Sequence, residues 1–178
     1  MAAIRPHLPP DRLTLVLALA VLGFDQATKW LVQRSMEFGA ERTILEGFFK
    51  LVHWGNTGAA WSFFRHHNDW LAGFSALAML ALWRWRRHFE YDRRPGQVAL
   101  GLLFGGIVGN LLDRIIHEHV VDFLRFYWIR RSGSEVGFPA FNVADSAICT
   151  AVAILMILAW SAEPPSTAGR PVGGDPKP

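Results

Sequence analysis

Four apolar blocks, each near the length of a membrane-spanning helix, constrain the fold of this chain more than any other feature. They cover residues 13–32, 70–85, 98–116 and 141–160. A helix needs roughly 20 mostly apolar residues to cross the hydrocarbon core of a bilayer. The second block reaches that length only if the residues just before it add a turn at the interface. The sequence therefore predicts an all-α integral membrane protein with four transmembrane helices.

The basic residues predict the orientation of these helices. Five arginines flank or occupy the short loop between the second and third blocks, namely Arg84, Arg86, Arg87, Arg93 and Arg94. Short loops rich in arginine stay in the cytoplasm, so both termini are expected there, and the loops 33–68 and 117–140 are expected outside. Because the basic residues cluster in this loop, the net charge of +3 indicates membrane orientation and no nucleic-acid partner.

The domain organisation follows from composition. Residues 1–162 are expected to form one membrane domain, and residues 163–178, rich in Pro and Gly, a disordered cytoplasmic tail. The first block has no small-x-small cleavage site after it, so it is not a removed signal peptide. The single cysteine, Cys149, lies inside an apolar block and is expected to be a small packing residue. Neither a metal nor another cofactor is predicted.

Polar side chains of three blocks gather at the outer side of the predicted membrane. Blocks one and three run outward and block four runs inward, which brings seven residues to one depth: Asp25, Lys29, Asn110, Asp113, Arg114, Asn142 and Asp145. Charged groups near hydrocarbon usually face a bundle interior or a wet cavity, together with partners. Asp25 and Lys29 are four residues apart and are expected to form an ion pair. The pattern predicts a polar site at this face.

The two outer loops supply further candidates. Residues 48–64 combine aromatic and β-branched residues around a Gly-Asn-Thr-Gly turn that contains Asn56, which predicts a small hairpin on the membrane surface. In the second loop Asp122 stands between Val121 and Phe123. Partial burial of this carboxyl would raise its pKa.

Five motifs occur in a fixed order along these segments: FDQATK at 24–29, NTGAAWS at 56–62, GGIVGNLLDR at 105–114, VVDF at 120–123 and FNVADS at 141–146. In this order the chain resembles the prolipoprotein signal peptidases, the type II signal peptidases of bacteria, over about residues 13–160. One departure is Trp61, where the family pattern leads us to expect a smaller aromatic residue.

The resemblance implies a four-helix aspartic peptidase of the bacterial inner membrane, active near the periplasmic face. Its substrate would be a prolipoprotein carrying a diacylglyceryl-cysteine, cut just before that cysteine, and its other partner membrane lipid; a monomer is expected. In the family's pattern the aspartates of the VDF and FNxAD motifs form the catalytic pair, which here would be Asp122 and Asp145. Two close carboxylates cannot both ionise cheaply, so such a pair shares a proton. The remaining matched residues would bind substrate or support the site: Asn56, Asn110, Asp113, Arg114, Asn142, Asp25 and Lys29.

Three alternatives remain at this point. A metallohydrolase would use His66, His67, His117 and His119, but no HExxH-type spacing is present. A small proton-coupled transporter would use the acids as relays, although such sites lie near the bilayer midplane and often within repeats. A serine nucleophile at Ser146 lacks a His–acid partner at suitable spacing.

Overall fold

The computed structural model describes residues 10–58, 68–88 and 93–161. Four helices and four strands follow in the order α1 (Pro10–Ser35), β1 (Glu41–Leu45), β2 (Phe49–Asn56), α2 (Asn68–Trp85), α3 (Arg94–His117), β3 (Val120–Ile129), β4 (Glu135–Gly137) and α4 (Val143–Ser161), with a 3-10 turn at Arg86–His88. The predictions for the tail 163–178, the second half of the hairpin, Trp61, His66 and His67 lie outside the described residues.

Within those residues, three helices are long and apolar enough to cross a membrane: α1, α3 and α4. The helix predicted for the second block is present as α2, but it has 18 residues and does not belong to this set. Its ends carry Asn68, Asp69 and Arg84, which lower the mean hydropathy of so short a segment. A fourth span therefore stays a prediction.

Glycines of α3 bring α1 and α4 into close contact with it. Gly101, Gly105 and Gly109 recur every four residues and face α1, where a Cβ at Gly105 would lie 2.6 Å from the carbonyl oxygen of Ala18. Gly106 faces the other way, and a Cβ there would lie 2.6 Å from a carbonyl oxygen of α4. Small residues allow helices in lipid to approach closely and gain van der Waals contact. Helix α3 is thus the central helix, and its polar residues face both neighbours.

The segments that follow α1 and α3 form a four-stranded antiparallel sheet in the order β1-β2-β3-β4. This is larger than the predicted hairpin, and it places Asp122 in strand β3 instead of a loop. Asn56 pairs with Val120, and Trp54 pairs with Asp122. An isolated two-stranded hairpin is marginal in water, and further strands stabilise it. The described partners of β2 are β1 and β3, so a hairpin around Gly-Asn-Thr-Gly stays a prediction.

Candidate active site

All nine predicted site residues belong to one connected network where the sheet meets the helices. The late part of α1 contributes Asp25 and Lys29, and α3 contributes Asn110, Asp113 and Arg114. Strands β2 and β3 supply Asn56 and Asp122, while the start of α4 supplies Asn142 and Asp145. Each of the nine makes at least one polar contact with another member or with the neighbouring backbone.

Asn142 and Asp145 form a reciprocal cap at the start of α4. The backbone N–H of Asp145 donates to Asn142 Oδ1 at 2.9 Å, and the backbone N–H of Asn142 donates to Asp145 Oδ2 at 3.2 Å. An N-cap amide followed three residues later by an acid satisfies two backbone donors that a helix start leaves free. The cap fixes the direction in which the Asp145 carboxylate points.

The same asparagine connects the two aspartates. Asn142 is fully buried, and its Nδ2 donates to Asp122 Oδ1 at 2.9 Å and to Asn110 Oδ1 at 3.1 Å. The second oxygen of Asp122 accepts from Asn56 Nδ2 at 3.0 Å. The second oxygen of Asp145 accepts from Asn110 Nδ2 at 2.7 Å. Every oxygen of the two carboxylates therefore holds one nitrogen donor, and both side chains are fixed in place.

Burial changes the acidity of Asp122, whose exposed fraction is 3%. Loss of solvation raises its pKa to about 7, and the neighbouring carboxylate of Asp145 adds to the rise. Hydrogen bonds from Asn56 and Asn142 and the charge of Lys29 act in the opposite direction and do not cancel it. The carboxyl thus changes protonation near neutral pH, where an acid–base residue is most effective.

Lys29 lies at the centre of a buried ion cluster. Its Nζ is 2.8 Å from Asp25 Oδ2 and 2.8 Å from Asp113 Oδ2, and the exposed side-chain fractions of the three residues are at most 3%. The predicted Asp25–Lys29 ion pair is thereby confirmed, and Asp113 joins it from α3. One residue of the network was missed: Gln26 Nε2 donates to Asp113 Oδ1 at 3.0 Å and to the carbonyl of Gly109 at 3.2 Å. Its place inside the FDQATK motif was the available signal.

The two aspartates face a cavity of about 900 Å³. Asn56 and Arg114 line it beside the sheet, and Ile148 and Cys149 extend it along α4. The Arg114 guanidinium donates to the carbonyls of Asn110 and Gly58, at 3.2 and 3.4 Å. The prediction that Cys149 is a packing residue is wrong, because its side chain is exposed. It lies four residues after Asp145, on the helix face that borders the cavity.

The geometry gives no support to the metal and serine alternatives. In the described part of the chain, no three His, Cys, Asp or Glu side chains are placed to hold a metal ion. The rings of His117 and His119 pack against each other with centroids 6.1 Å apart. The hydroxyl of Ser146 donates to the carbonyl of Asn142 one turn earlier, which directs its proton to its own helix.

Apolar helices that enclose two aspartates, joined at one end of the bundle by hydrogen bonds to Asn142, define a membrane protein with a buried carboxyl pair. Comparison with known proteins specifies it further: the family model described as "Signal peptidase (SPase) II" matches residues 17–161. The chain belongs to the signal peptidase II family. It is accordingly a multi-pass membrane protein and an aspartic peptidase, so the predicted hydrolase is confirmed and the transporter alternative is not supported.

Curated relatives and solved structures agree with this assignment. A lipoprotein signal peptidase of Symbiobacterium thermophilum is 41% identical over 145 residues, which cover 82% of this chain and 92% of the relative. One from Geobacter metallireducens is 38% identical over 152 residues, covering 84% and 91%. A bacterial membrane enzyme solved by the in meso method at 2.3 Å resolution superposes with a TM-score of 0.70 at 28% identity, covering 83% of this chain and 87% of that one.

Proposed function

We propose that this chain removes signal peptides from diacylglyceryl-modified prolipoproteins, cutting just before the lipidated cysteine, with Asp122 and Asp145 as its catalytic pair. The observation that carries the proposal is the bridge through Asn142, which contacts both aspartates where they border one cavity. The relatives named as lipoprotein signal peptidases support the substrate class.

Hydrolysis needs one proton acceptor and one proton donor on either side of the scissile carbonyl. A water bound between the carboxyls loses a proton to the ionised member as it attacks the carbonyl carbon. The protonated member donates its proton to the developing oxyanion. The member that took a proton from water later donates it to the leaving nitrogen. The raised pKa of Asp122 keeps a proton in the pair at neutral pH, and the pair titrates as a unit. Asn142 is fully buried and directs its amide hydrogens at Asp122 and Asn110, so its role in the reaction is to orient the pair.

The supporting residues take roles that fit their contacts. Arg114, at the cavity wall, is suited to hold the substrate backbone through guanidinium hydrogen bonds. The exposed apolar surface along α4 beside Ile148 is suited to the diacyl chains. Asn56 lies at the end of β2 and contacts Asp122, and the hairpin expected around it is proposed to close over bound peptide. The catalytic pair is supported by hydrogen bonds and ion pairs of four further residues: Asp25, Lys29, Asn110 and Asp113.

The proposed placement in the cell follows the arginine distribution. Residues 1–162 form the membrane domain of a monomer with α2 as a fourth span, both termini lie in the cytoplasm, and the site lies near the periplasmic face of the inner membrane. The test is thiol labelling in intact cells of a Cys149→Ala background that carries Ser132→Cys. A membrane-impermeant maleimide is expected to label Ser132→Cys, in the turn after β3, and to leave a cysteine at the C-terminus unlabelled. The reverse pattern contradicts the orientation.

The catalytic roles are tested with a purified lipidated prolipoprotein as substrate. Asp122→Asn and Asp145→Asn each remove a proton donor or acceptor with little change in shape, so turnover is expected to fall by more than about 1,000-fold, within the range for essential acid–base groups. The matched control is Asp69→Asn, an exposed acid in the first turn of α2, which is expected to cleave normally. Retained cleavage by either catalytic variant refutes the aspartyl mechanism.

The role of the segment after β2 has a separate test. Asn56→Ala is expected to weaken processing without unfolding the protein, because Asn56 contacts Asp122 and the backbone N–H of Gly58 and lies outside the helical core. Unchanged turnover in this variant contradicts a closing role for the segment.

A further inference from the structure

Two buried acids outside the cavity anchor the backbone immediately before each proposed catalytic aspartate. Asp113 Oδ2 accepts the backbone N–H of Val121 at 3.0 Å, and Val121 precedes Asp122. Asp25 Oδ1 accepts the backbone N–H of Ala144 at 2.8 Å, and Ala144 precedes Asp145. These bonds tie strand β3 to helix α3, and helix α4 to helix α1.

Lys29 joins the two anchors. Its ammonium contacts Asp25 and Asp113 at 2.8 Å each, and we call these three residues the ion-pair frame. The frame connects α1, α3, β3 and α4 through charge-assisted bonds at a nearly dry position. Such bonds are short and strong, so the frame fixes how far strand β3 lies from the start of α4.

Lys29 also orients the amide of Asn110. Its Nζ donates to Asn110 Oδ1 at 3.0 Å, which leaves the amide nitrogen of Asn110 to donate to Asp145 at 2.7 Å. Asn142 Nδ2 donates to the same Asn110 oxygen at 3.1 Å. The ammonium and Asn142 together direct the amide nitrogen of Asn110 toward Asp145, and an apolar side chain at position 29 removes the stronger, charged donor.

We propose that Lys29 is a positioning residue for the peptidase reaction, setting the separation of the two catalytic carboxyls through the ion-pair frame and the direction of the Asn110 amide. The proposal rests on the proposed function, because it takes Asp122 and Asp145 as the reacting pair. Lys29 is absent from the described wall of the cavity, so it acts on the reaction without contacting substrate.

Stability of the helix bundle alone does not account for this arrangement. Replacing a buried ion cluster with apolar side chains is often neutral or stabilising, whereas removing one partner leaves an uncompensated charge. A test must therefore break the frame without changing its charge. The wild-type frame has one Lys and two Asp, a net charge of +1 − 2 = −1. Lys29→Met with Asp25→Asn keeps −1 on Asp113, whose two oxygens still accept from Gln26 Nε2 and the backbone N–H of Val121.

The double variant Lys29→Met/Asp25→Asn is therefore the principal experiment. The amide introduced at position 25 still offers an oxygen to the backbone N–H of Ala144, while the link to Asp113 is lost. We expect kcat to fall about 100-fold, the cost of a shift of about 1 Å in a reacting group, with KM within about threefold because the cavity wall is unchanged. Thermal unfolding in detergent reports whether the protein is folded.

The chain offers a matched control in Lys50. Its ammonium also contacts two carboxylates, Glu41 at 2.9 Å and Glu135 at 2.6 Å, but these ion pairs lie in the four-stranded sheet. Lys50→Met is expected to leave both kcat and KM unchanged.

A thermodynamic cycle tests the path through Asn110. If Lys29 acts partly through that amide, the double variant lowers kcat less in an Asn110→Ala background than in the wild type, because coupled residues are not additive. Lys29→Arg keeps a cation of different shape and is expected to fold, with unchanged KM and kcat lowered about tenfold. Wild-type kcat in a folded Lys29 variant, full additivity with Asn110→Ala, or a change confined to KM overturns the proposal.

Failure of this proposal is distinguishable from failure of the proposed function. If Asp122→Asn or Asp145→Asn retains cleavage, the catalytic pair is wrong. If both are inactive while folded Lys29 variants turn over normally, the pair stands and only the positioning role of Lys29 is wrong.

Discussion

Cleavage by this peptidase is expected to decline as the pH rises through about 7, because the carboxyl pair then loses its shared proton. Burial raises the pKa of Asp122 to about 7. A group with that pKa is about 90% protonated one pH unit below it and about 10% protonated one unit above it, so kcat/KM should fall about tenfold between about pH 6 and pH 8. The descending limb of the kcat/KM profile reports the pKa of the essential acid in the free enzyme.

Asn56→Ala is the perturbation that tests this assignment. Asn56 Nδ2 donates to Asp122 Oδ2 at 3.0 Å and stabilises the ionised form, so its loss raises the pKa of Asp122. A hydrogen bond to a charged group is worth about 1.5–3 kcal/mol, and about 1.4 kcal/mol corresponds to one pKa unit. The descending limb is therefore expected to move up by about 1–2 units.

The assay is the initial rate of cleavage of a lipidated prolipoprotein in zwitterionic detergent, from about pH 5 to pH 9.5, which covers both sides of the expected limb. Ser132→Ala, in the turn between β3 and β4, is the control and should follow the wild-type profile. A limb that stays near 7 in Asn56→Ala, or moves down, refutes the assignment of this limb to Asp122. A flat wild-type profile refutes it as well.

The remaining predictions concern packing, stability and the rejected chemistries. Gly105→Ala is expected to destabilise the fold by about 1–3 kcal/mol, since its Cβ would lie 2.6 Å from a carbonyl oxygen of α1. The control Gly73→Ala, with open space around it, should unfold at the wild-type temperature or slightly above it. Equal unfolding temperatures for the two variants would contradict the close packing. The folded-state pKa of Asp122, about 7, lies above the reference value of 3.8, so its contribution to stability is full below about pH 4 and is lost as the pH rises through about 7. Thermal unfolding of Asp122→Asn should accordingly lose this part of the pH dependence, and an unchanged dependence would show that another group causes it. Ser146→Ala should cleave at the wild-type rate, and an inactive, folded Ser146→Ala would reopen the serine mechanism. Incubation with EDTA should leave the rate unchanged, and a loss restored by a divalent cation would indicate a metal.

Helices and strands differed in how far they could be predicted from local pattern. All four helices lie where the apolar blocks indicate, and each helix end lies within four residues of the corresponding block end. The agreement arises because helical hydrogen bonds are local and an apolar run of that length has few alternatives in a membrane. The sheet was underestimated. Strand β2 pairs with β3, whose partner residues lie 64 positions away at Asn56 and Val120, and no local signal specifies so distant a register.

The candidate site shows the same division. Spacing sufficed for the Asp25–Lys29 ion pair, because residues four apart on a helix are neighbours. Spacing could not indicate that Asp113 completes that cluster from another helix, or that Cys149 is exposed beside the cavity. Those facts depend on how α3 rotates against α1 and α4, which its glycines determine by close contact.

The sequence by itself determined that this is a membrane protein with its acids and amides at one face, because both properties follow from the order of apolar and polar residues along single helices. The tertiary structure alone decided that Asn142 connects Asp122 to Asp145 and that burial brings the pKa of Asp122 to about 7. It also decided that Lys29 pairs with Asp25 and Asp113, which accept the backbone N–H groups just before the two aspartates. Each of these depends on distances between segments that are remote in sequence, and packing sets those distances.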